Sequence, residues 1–287
     1  MMCFLFDSSI IDAPEKMNFF EGIILGLVQG ITEFLPISSS GHLVILQSLF
    51  NIPSDESVLF EVVVHFATLL AICIYYRQKL KVFAMYSYTA LKTSKKPAQI
   101  YSEENGRYII LIIIGVLPAI IVGFILKDSI EKLFDMPIIT GIALFVTSSF
   151  LISTYFKRRS NFDIMQITWI MALLIGIAQA VALIPGISRS GITISTALLL
   201  GINRRLSADF SFIIVIPAII GATFISLMDI GEINSIGISG LVGGFLMAAV
   251  SGYLALIGLL KIIRNGKFYL FAPYCLALGA FSIIYFG

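Results

Sequence analysis

Long apolar runs separated by short polar stretches extend along almost the whole chain of 287 residues. A helix needs about 20 consecutive apolar residues to cross the ~30 Å hydrocarbon core of a membrane. Six segments meet this requirement, and each is predicted to be a transmembrane helix: 58–76, 108–126, 137–156, 209–228, 237–260 and 268–286. The pattern therefore predicts an all-α polytopic membrane protein.

Two further apolar segments, 19–50 and 166–202, have a different pattern. Each is interrupted near its middle, the first at Pro36 and the second at Pro185-Gly186, and each carries polar residues at the interruption. Only about a dozen residues follow each interruption before the chain turns polar, which is too short for a crossing. Because broken backbone is tolerated at membrane depth only inside protein or a water-filled cavity, we predict two re-entrant helical hairpins.

Composition supports the membrane assignment and excludes other classes. Apolar residues make up 58% of the chain and charged residues 13%, a balance that would leave a soluble protein with extensive exposed apolar surface. The net charge of +2 is too small to indicate a nucleic-acid partner.

Cys3, Cys73 and Cys275 are widely separated, which predicts free thiols. Residues 1–16 lack the basic start of a signal peptide and are predicted to be an N-terminal extension.

Charged residues between the apolar segments predict the orientation of the chain. Basic residues concentrate at 77–107, 157–159, 204–205 and 261–267, and these connections are expected in the cytoplasm. The acidic or balanced connections, at 55–56, 127–135 and 229–232, are expected outside. Six crossings satisfy this order only if each hairpin returns to the side it entered, with 19–50 entering from outside and 166–202 from the cytoplasm. Both termini are then outside.

The two hairpins also share a sequence pattern that predicts an internal repeat. Matched residues lie 150 positions apart without a gap: Gly26 and Gly176, Gln29 and Gln179, Ser38 and Ser188, Ser40 and Ser190, Gly41 and Gly191. A first repeat of residues 17–157 and a second of 158–287 each contain one hairpin and three crossings. Since three is odd, the second repeat is inverted, and such repeats place a site at their interface near the midplane.

Ionisable residues at membrane depth indicate function because they are costly there. Glu33, His42 and Arg189 lie in the two hairpins, and Gln29 shares a helical face with Glu33 at i and i+4. Each interruption precedes a new helix, whose first N–H groups favour an anion. An arginine is suited to bidentate phosphate contacts. The hairpins therefore predict a phosphate site, and a serine beside a histidine and a carboxylate is typical of an activated nucleophile.

Structural roles remain open for several of these residues. Ser38 and Ser40 have the pattern of helix caps. Arg189 is also a candidate structural partner for Glu33, since a buried charge needs an opposite one. Glu61 is intermediate between a structural and a functional role, and His65, in the same predicted crossing, fits a packing or hydrogen-bonded histidine better than a functional one.

The hairpin motifs resemble those of a known family. Gln29-Gly-Ile-Thr-Glu33-Phe-Leu-Pro36-Ile-Ser-Ser39-Ser-Gly41-His42 resembles the first signature of the bacterial undecaprenyl-diphosphate phosphatases of the bacitracin-resistance type. Pro185-Gly-Ile-Ser-Arg189-Ser-Gly191 resembles the second signature. The similarity extends over the chain from Met17 onward. It implies removal of the terminal phosphate of undecaprenyl diphosphate, which regenerates the lipid carrier for cell-wall synthesis and gives bacitracin resistance.

The resemblance also implies roles for individual residues. The catalytic set is Ser39, His42, Glu33 and Arg189, with Ser39 as the nucleophile. The substrate-binding set is Gln29, Ser38, Ser40, Gly41, Gly186, Ser188, Ser190 and Gly191. A divalent cation, Mg²⁺ or Ca²⁺, is expected at Glu33. Many family members have two glutamates in the first signature, whereas this chain has Gln29 at the first position, so Glu33 must carry any acid, base or charged-ligand role.

The expected partners are a polyprenyl diphosphate lipid, membrane lipids and a second copy of the chain in a homodimer. The expected location is the bacterial cytoplasmic membrane, with the site opening to the periplasmic side. Two alternatives remain open at this point. The first concerns the attacking group, for which His42 is a rival to Ser39. The second concerns the function: inverted repeats with re-entrant hairpins also occur in transporters, so a polyprenyl-phosphate flippase with the same anion site is the alternative to a phosphatase.

Overall fold

The computed structural model describes residues 17–50, 54–157, 161–229 and 237–287. The predicted extension 1–16 and parts of the predicted turns 157–159 and 229–232 lie outside these ranges. Helices account for nearly all of the described chain, and its one β-bridge joins Phe162 to Ile202. The predicted all-α polytopic membrane protein is therefore confirmed.

Thirteen α-helices follow one another in the described residues. They are α1 (Phe19–Phe34), α2 (Ser39–Phe50), α3 (Ser54–Tyr75), α4 (Arg77–Lys92), α5 (Pro97–Ser102), α6 (Glu104–Ile125), α7 (Lys127–Phe134), α8 (Pro137–Phe156), α9 (Trp169–Val181), α10 (Arg189–Leu199), α11 (Arg204–Asp229), α12 (Ile238–Arg264) and α13 (Ala272–Phe286). Short 3₁₀ turns at Ile164–Gln166 and Phe268–Phe271 precede α9 and α13.

Five of the described helical segments are long and apolar enough to cross a membrane, and they match five of the six predicted crossings: Glu104–Ile125, Pro137–Phe156, Arg204–Phe224, Ile238–Arg264 and Phe268–Phe286. The remaining prediction, 58–76, falls on α3. Its Leu59–Tyr75 part meets the same test only together with α4, from which it is bent by 78°. The number of candidate crossings is thus five, or six if that bent pair is one crossing.

The predicted hairpins correspond to two pairs of short helices. The first pair is α1 and α2, of 16 and 12 residues, and the second is α9 and α10, of 13 and 11 residues. At a rise of ~1.5 Å per residue, even α1 is about 24 Å long, less than the ~30 Å core. No helix of either pair crosses alone, and re-entry of each pair to one face stays a prediction.

The helix starts repeat the 150-residue spacing of the sequence motifs. Helix α1 begins at Phe19 and α9 at Trp169, α2 at Ser39 and α10 at Arg189, α3 at Ser54 and α11 at Arg204. The packing follows the same correspondence, because α1 lies along α12 and α9 lies along α6.

Small residues bring the helices of these pairs into close contact. A Cβ added at Gly22 or Gly26 of α1 would meet the backbone of Gly240 or Gly244 of α12. At the contact of α9 with α6, a Cβ added at Gly176 would meet the carbonyl of Gly115. Small residues at every fourth position let transmembrane helices approach closely and gain dispersion energy. These contacts fix α1 and α9, and through them the breaks that follow each helix.

Polar residues outside the apolar segments stabilise the basic connection between α4 and α6. The Lys95 ammonium donates hydrogen bonds of 2.7 Å to both carboxylate oxygens of Glu103, which lowers the pKa of that carboxyl. Arg107 donates to the carbonyl of Ile167 and so connects α6 to the segment before α9.

The predicted free thiols Cys73 and Cys275 are free in the described structure, while Cys3 lies outside it.

Candidate active site

Each break in the hairpins has a serine that caps the helix after it, although the backbone conformations of the two serines differ. In the first, Ser38 adopts a positive φ of 66°, and its hydroxyl accepts a hydrogen bond from Gly41 N–H at 3.1 Å. In the second, Ser188 caps α10 and accepts from Gly191 N–H at 3.1 Å. Ser38 therefore acts as a helix cap, as the structural alternative proposed, and Ser188 has the same role at α10. Ser40, the other residue of that alternative, has its hydroxyl 3.3 Å from that of Ser38. A positive φ at a serine is uncommon and is held by surrounding structure, which occurs most often at functional sites.

Helix α8 and a direct contact hold the two breaks beside each other. Thr147 of α8 donates to the carbonyl of Gly186 at 3.0 Å and accepts from Ser188 N–H at 2.9 Å. Gly186 has a φ of 93°, and an added Cβ there would meet the backbone of α8, so only glycine fits. Ser190 Oγ donates to the carbonyl of Leu35 at 3.2 Å. The second break is thereby fixed against the end of α1.

Glu33 is the residue at which the two hairpins meet. Its carboxylate is buried, with 4% of the side chain exposed. Ser39 Oγ donates to Glu33 Oε2 at 2.6 Å, and Gln29 Nε2 donates to the same oxygen at 3.1 Å. Arg189 of the second hairpin binds the other oxygen, Oε1. The shared face of Gln29 and Glu33 and the pairing of Glu33 with Arg189 were candidates from the sequence, and in the structure Gln29, Ser39 and Arg189 all contact Glu33.

The Arg189 guanidinium has a second nitrogen directed into the protein. Nη2 pairs with Glu33, whereas Nη1 is buried and has no hydrogen-bond partner among the described residues. A buried unpaired donor on a cation is costly unless a ligand or water satisfies it. The structural pairing with Glu33 is therefore present, and it leaves a cationic donor for an anion.

His42 is oriented by groups other than Ser39. Its Nδ1 lies 2.7 Å from the carbonyl oxygen of Ser38, and its Nε2 lies 2.7 Å from the hydroxyl of Tyr274 on α13. Since a carbonyl only accepts, Nδ1 carries the hydrogen, and in the neutral ring Nε2 accepts from Tyr274. The two rings are stacked with an angle of 3° between their planes. Both nitrogens of His42 are thus already engaged.

His65 lies closer to the site than its sequence pattern indicates. Its Nε2 is 3.6 Å from Glu33 Oε2, and its Nδ1 is 2.7 Å from the carbonyl of Glu61 one turn earlier. Its place inside a predicted crossing favoured a packing or hydrogen-bonded role, and the hydrogen bond to Glu61 agrees with the second of these. Neither His65 nor Tyr274 was in the predicted site, and only their tertiary contacts identify them.

The remaining predicted substrate-binding residues line the two breaks. Ser38, Gly41, Gly186, Ser188, Ser190 and Gly191 are buried, and Ser40 is half-buried. The hydroxyls of Ser38 and Ser40 are 3.3 Å apart, and those of Ser188 and Ser190 are also 3.3 Å apart. Both breaks therefore present paired hydroxyls at the start of a helix, where the first N–H groups and the helix dipole favour an anion.

A divalent cation would find few protein ligands here. The described residues contain no group of three or more histidine, cysteine, aspartate or glutamate side chains placed to hold a metal. Gln29 Oε1 is buried without a hydrogen-bond partner and lies on the residue that contacts Glu33. One carboxylate and one amide oxygen fit Mg²⁺ or Ca²⁺ when substrate phosphates supply further ligands, as is usual for Mg²⁺.

Comparison with known proteins identifies the family of the chain. Residues 22–281 match the family described as "Bacitracin resistance protein BacA". A protein of Desulforapulum autotrophicum named undecaprenyl-diphosphatase is 39% identical over 274 residues, which cover 93% of this chain and 98% of the relative. Proteins with the same name from Carboxydothermus hydrogenoformans (38% identical, 93% and 97% covered) and Bacteroides fragilis (39% identical, 93% and 98% covered) are also similar. The chain belongs to the bacitracin resistance protein BacA family.

Proposed function

We propose that this protein is an undecaprenyl-diphosphatase, which hydrolyses undecaprenyl diphosphate to undecaprenyl phosphate and inorganic phosphate. The observation that carries the proposal is the set of contacts at Glu33. A serine hydroxyl, its proton acceptor and a buried cation with a free donor lie together at the junction of two hairpins. The name shared by the similar proteins supplies the substrate.

Ser39 is the proposed nucleophile. Its Oγ attacks the terminal phosphorus, the bond from that phosphorus to the bridging oxygen breaks, and undecaprenyl phosphate leaves. The Ser39 proton passes to Glu33 Oε2, which lies 2.6 Å away. Glu33 passes this proton to the leaving undecaprenyl phosphate and is a carboxylate again. Water then attacks the phosphoserine, and Glu33 takes a proton from that water and delivers it to Ser39 Oγ as the bond from phosphorus to Oγ breaks, so that the Ser39 hydroxyl forms again and phosphate leaves. The contact with Glu33 and the engaged nitrogens of His42 favour Ser39 over His42 as the attacking group.

The negative charge of the transferring phosphoryl group needs fixed positive partners. We propose that these partners are Arg189 Nη1 and the first N–H groups of α2 and α10. All of them lie at the breaks and belong to helices, so their positions are fixed before the substrate binds. We propose that Mg²⁺ or Ca²⁺ also takes part, held by Glu33 and Gln29 Oε1. When bound, such a cation neutralises charge on the diphosphate.

The finer features of location and assembly are part of the same proposal. The protein is placed in the bacterial cytoplasmic membrane as two inverted repeats, with the site opening to the periplasmic side. The repeated helix starts and the matched pairs of α1 with α12 and α9 with α6 support the inverted repeat. Cysteine labelling from outside tests the orientation, with Asp135→Cys expected to react and Ser94→Cys expected to be protected in intact cells. A homodimer is also proposed, and light scattering of the purified protein tests it.

Hydrolysis accounts for the site better than transport does. A flippase for polyprenyl phosphate needs the anion-binding groups, but it has no use for a hydroxyl donating directly to a buried carboxylate. The test is phosphate release from a polyprenyl diphosphate by purified protein in detergent with added Mg²⁺ or Ca²⁺. Wild-type protein is expected to release phosphate and Ser39→Ala to release none. No release by the wild type would refute the proposed activity.

A further inference from the structure

His65 of α3 lies beside the Glu33 carboxylate, and the hydrolysis proposed above does not use it. Its Nδ1 is 2.7 Å from the carbonyl oxygen of Glu61. Because a carbonyl only accepts, Nδ1 carries a hydrogen, and the neutral ring has its lone pair on Nε2. That nitrogen lies 3.6 Å from Glu33 Oε2. A nitrogen with a lone pair and a carboxylate oxygen therefore lie next to each other in the site.

The distance between these two atoms distinguishes two kinds of contact. A hydrogen bond from a charged nitrogen to a carboxylate is about 2.7–2.9 Å long, so 3.6 Å is too long for a direct one. Two atoms that each bind one divalent cation at about 2.1 Å lie about 3.0–4.2 Å apart, depending on the angle between the two bonds. The separation of His65 Nε2 and Glu33 Oε2 is within that range. It fits two ligands of one cation better than it fits an ion pair.

The hydrogen bond at His65 Nδ1 is typical of a histidine that binds a metal. Such histidines almost always donate their other ring hydrogen to a backbone carbonyl, a carboxylate or a water, which fixes the orientation of the ring. The Glu61 carbonyl makes this contact with His65. His42, the other histidine of the chain, differs, because its Nε2 already accepts a hydrogen bond from Tyr274. Of the two histidines, His65 is therefore the one with a nitrogen available to a cation.

Gln29 supplies a third donor atom at the same carboxylate. Its Nε2 donates to Glu33 Oε2 at 3.1 Å, whereas its Oε1 is buried and has no hydrogen-bond partner among the described residues. A buried amide oxygen without a partner needs an explanation, and a cation or a water would satisfy it. Carboxylate and amide oxygens suit Mg²⁺, Ca²⁺ and Mn²⁺, whereas imidazole nitrogen suits transition metals.

The charges at the site indicate when a cation binds. Arg189 already pairs with Glu33, so the protein leaves little negative charge for a divalent cation. The diphosphate of the substrate supplies that charge, and we expect its oxygens to complete the coordination of the cation. The His65 side chain is 29% exposed, against 4% for Glu33, so a ligand can approach from the His65 side.

We propose that His65 is a ligand of the divalent cation at Glu33, and that the site consequently prefers Mn²⁺ or another first-row transition cation to Mg²⁺ or Ca²⁺. The imidazole nitrogen supplies this preference, since Glu33 and Gln29 offer only oxygen. The inference rests on the proposed function, because the cation is the one proposed there to neutralise charge on the diphosphate.

Electron spin-echo spectroscopy of bound Mn²⁺ tests the ligand without turnover. The full chain, purified without a histidine tag, is mixed with Mn²⁺ and methylene diphosphonate, a non-hydrolysable diphosphate, in a buffer free of nitrogen. Mn²⁺ bound to the diphosphonate alone shows no nitrogen coupling, so the coupling of a directly bound imidazole nitrogen identifies a protein ligand. The wild type is expected to show ¹⁴N coupling, and labelling its histidines with ¹⁵N is expected to replace it with ¹⁵N coupling.

Two variants identify the ligand, because the chain contains only two histidines. His65→Gln is expected to lose the ¹⁴N coupling. His42→Gln, the matched control, is expected to keep it. If one variant is recovered poorly, the other still distinguishes the two residues.

The dependence of phosphate release on the cation tests the preference. The wild type is expected to reach half-maximal activity at a lower concentration of Mn²⁺ than of Mg²⁺. His65→Gln is expected to raise the Mn²⁺ concentration needed by roughly tenfold, the lower end of the loss in affinity when a metal site loses a supporting group. The Mg²⁺ concentration needed is expected to change much less.

Three results would overturn the inference. No ¹⁴N coupling in the wild type would show that no histidine binds the cation, and loss of the coupling in His42→Gln alone would assign it to His42. An equal rise for Mn²⁺ and Mg²⁺ in His65→Gln would refute the preference. Coupling assigned to His65 in a wild type that releases no phosphate would confirm the ligand and refute the proposed function, which is a separate outcome.

Discussion

Replacing Glu33 with glutamine separates the two roles of this residue, as base for Ser39 and as partner for Arg189. Glu33→Gln keeps the size of the side chain but removes its charge. Because the glutamate side chain is 4% exposed and that of Arg189 17% exposed, the substitution leaves a cation largely buried without its partner. Removing one partner of a buried pair typically destabilises a protein by about 3–5 kcal/mol.

The same substitution is expected to abolish most of the activity. General-base catalysis typically contributes 10²- to 10⁴-fold, so kcat is expected to fall by about that factor. The assays are phosphate release in detergent and unfolding in mixed micelles. Glu21→Gln is the matched control, since Glu21 lies on the same helix in an exposed capping box, and its activity is expected to match the wild type.

A double variant then distinguishes chemistry from pairing. Glu33→Gln combined with Arg189→Gln removes both charges, so it is expected to regain much of the lost stability because no unpaired cation remains. It is not expected to regain activity. Recovery of kcat in the double variant, or a kcat within tenfold of wild type in Glu33→Gln alone, would refute the assignment of Glu33 as the base.

Three further perturbations have defined outcomes. Tyr274→Phe keeps the stacked ring but removes the donor to His42 Nε2. The loss of a hydrogen bond of about 1 kcal/mol corresponds to a roughly fivefold fall in kcat/KM. An unchanged kcat/KM would show that this orientation of His42 is not needed for catalysis. Gly26→Val places its Cβ against the backbone of α12 and is expected to lower the unfolding midpoint in mixed micelles, whereas Gly221→Val, in open space, is not. Removal of divalent cations with a chelator is expected to lower the rate of phosphate release. Gln29→Glu adds a carboxylate and is expected to reduce the cation concentration needed for half-maximal activity. If neither the chelator nor the substitution changes the activity in this way, no cation binds at Glu33.

The sequence predicted those features of the fold that depend on local pattern. Hydrophobic length located the crossings, and Pro36 and Pro185 marked the breaks between the short helices. The 150-residue spacing recurs in the starts of three pairs of helices, and for α2 and α10 the same serine cap and glycine begin the helix in each half. The first predicted crossing, 58–76, corresponds to α3, and the sharp bend from α3 into α4 that follows it was not predicted from the sequence.

The structure brings predicted polar residues of the two hairpins together and adds contacts that the sequence did not predict. The sequence left His42 and Glu33 both open as the group that activates Ser39, and in the structure the Ser39 hydroxyl donates across the break to Glu33. Residues at i and i+3 share a helical face, but the two ring nitrogens of His42 are held by the Ser38 carbonyl and the Tyr274 hydroxyl. His65 and Tyr274 were missed because α3 and α13 reach the site only through tertiary packing.

The central claim is that Ser39 is phosphorylated during turnover, and trapping the covalent intermediate tests it most directly. Undecaprenyl diphosphate labelled at its terminal phosphate is mixed with the enzyme, the reaction is quenched within one turnover in acid and in parallel in alkali, and the label is located by mass spectrometry. Acid preserves phosphoserine and alkali preserves phosphohistidine. The account predicts label on Ser39 in the acid-quenched sample and none in Ser39→Ala. Label on His42, or turnover with no labelled protein under either quench, would contradict it.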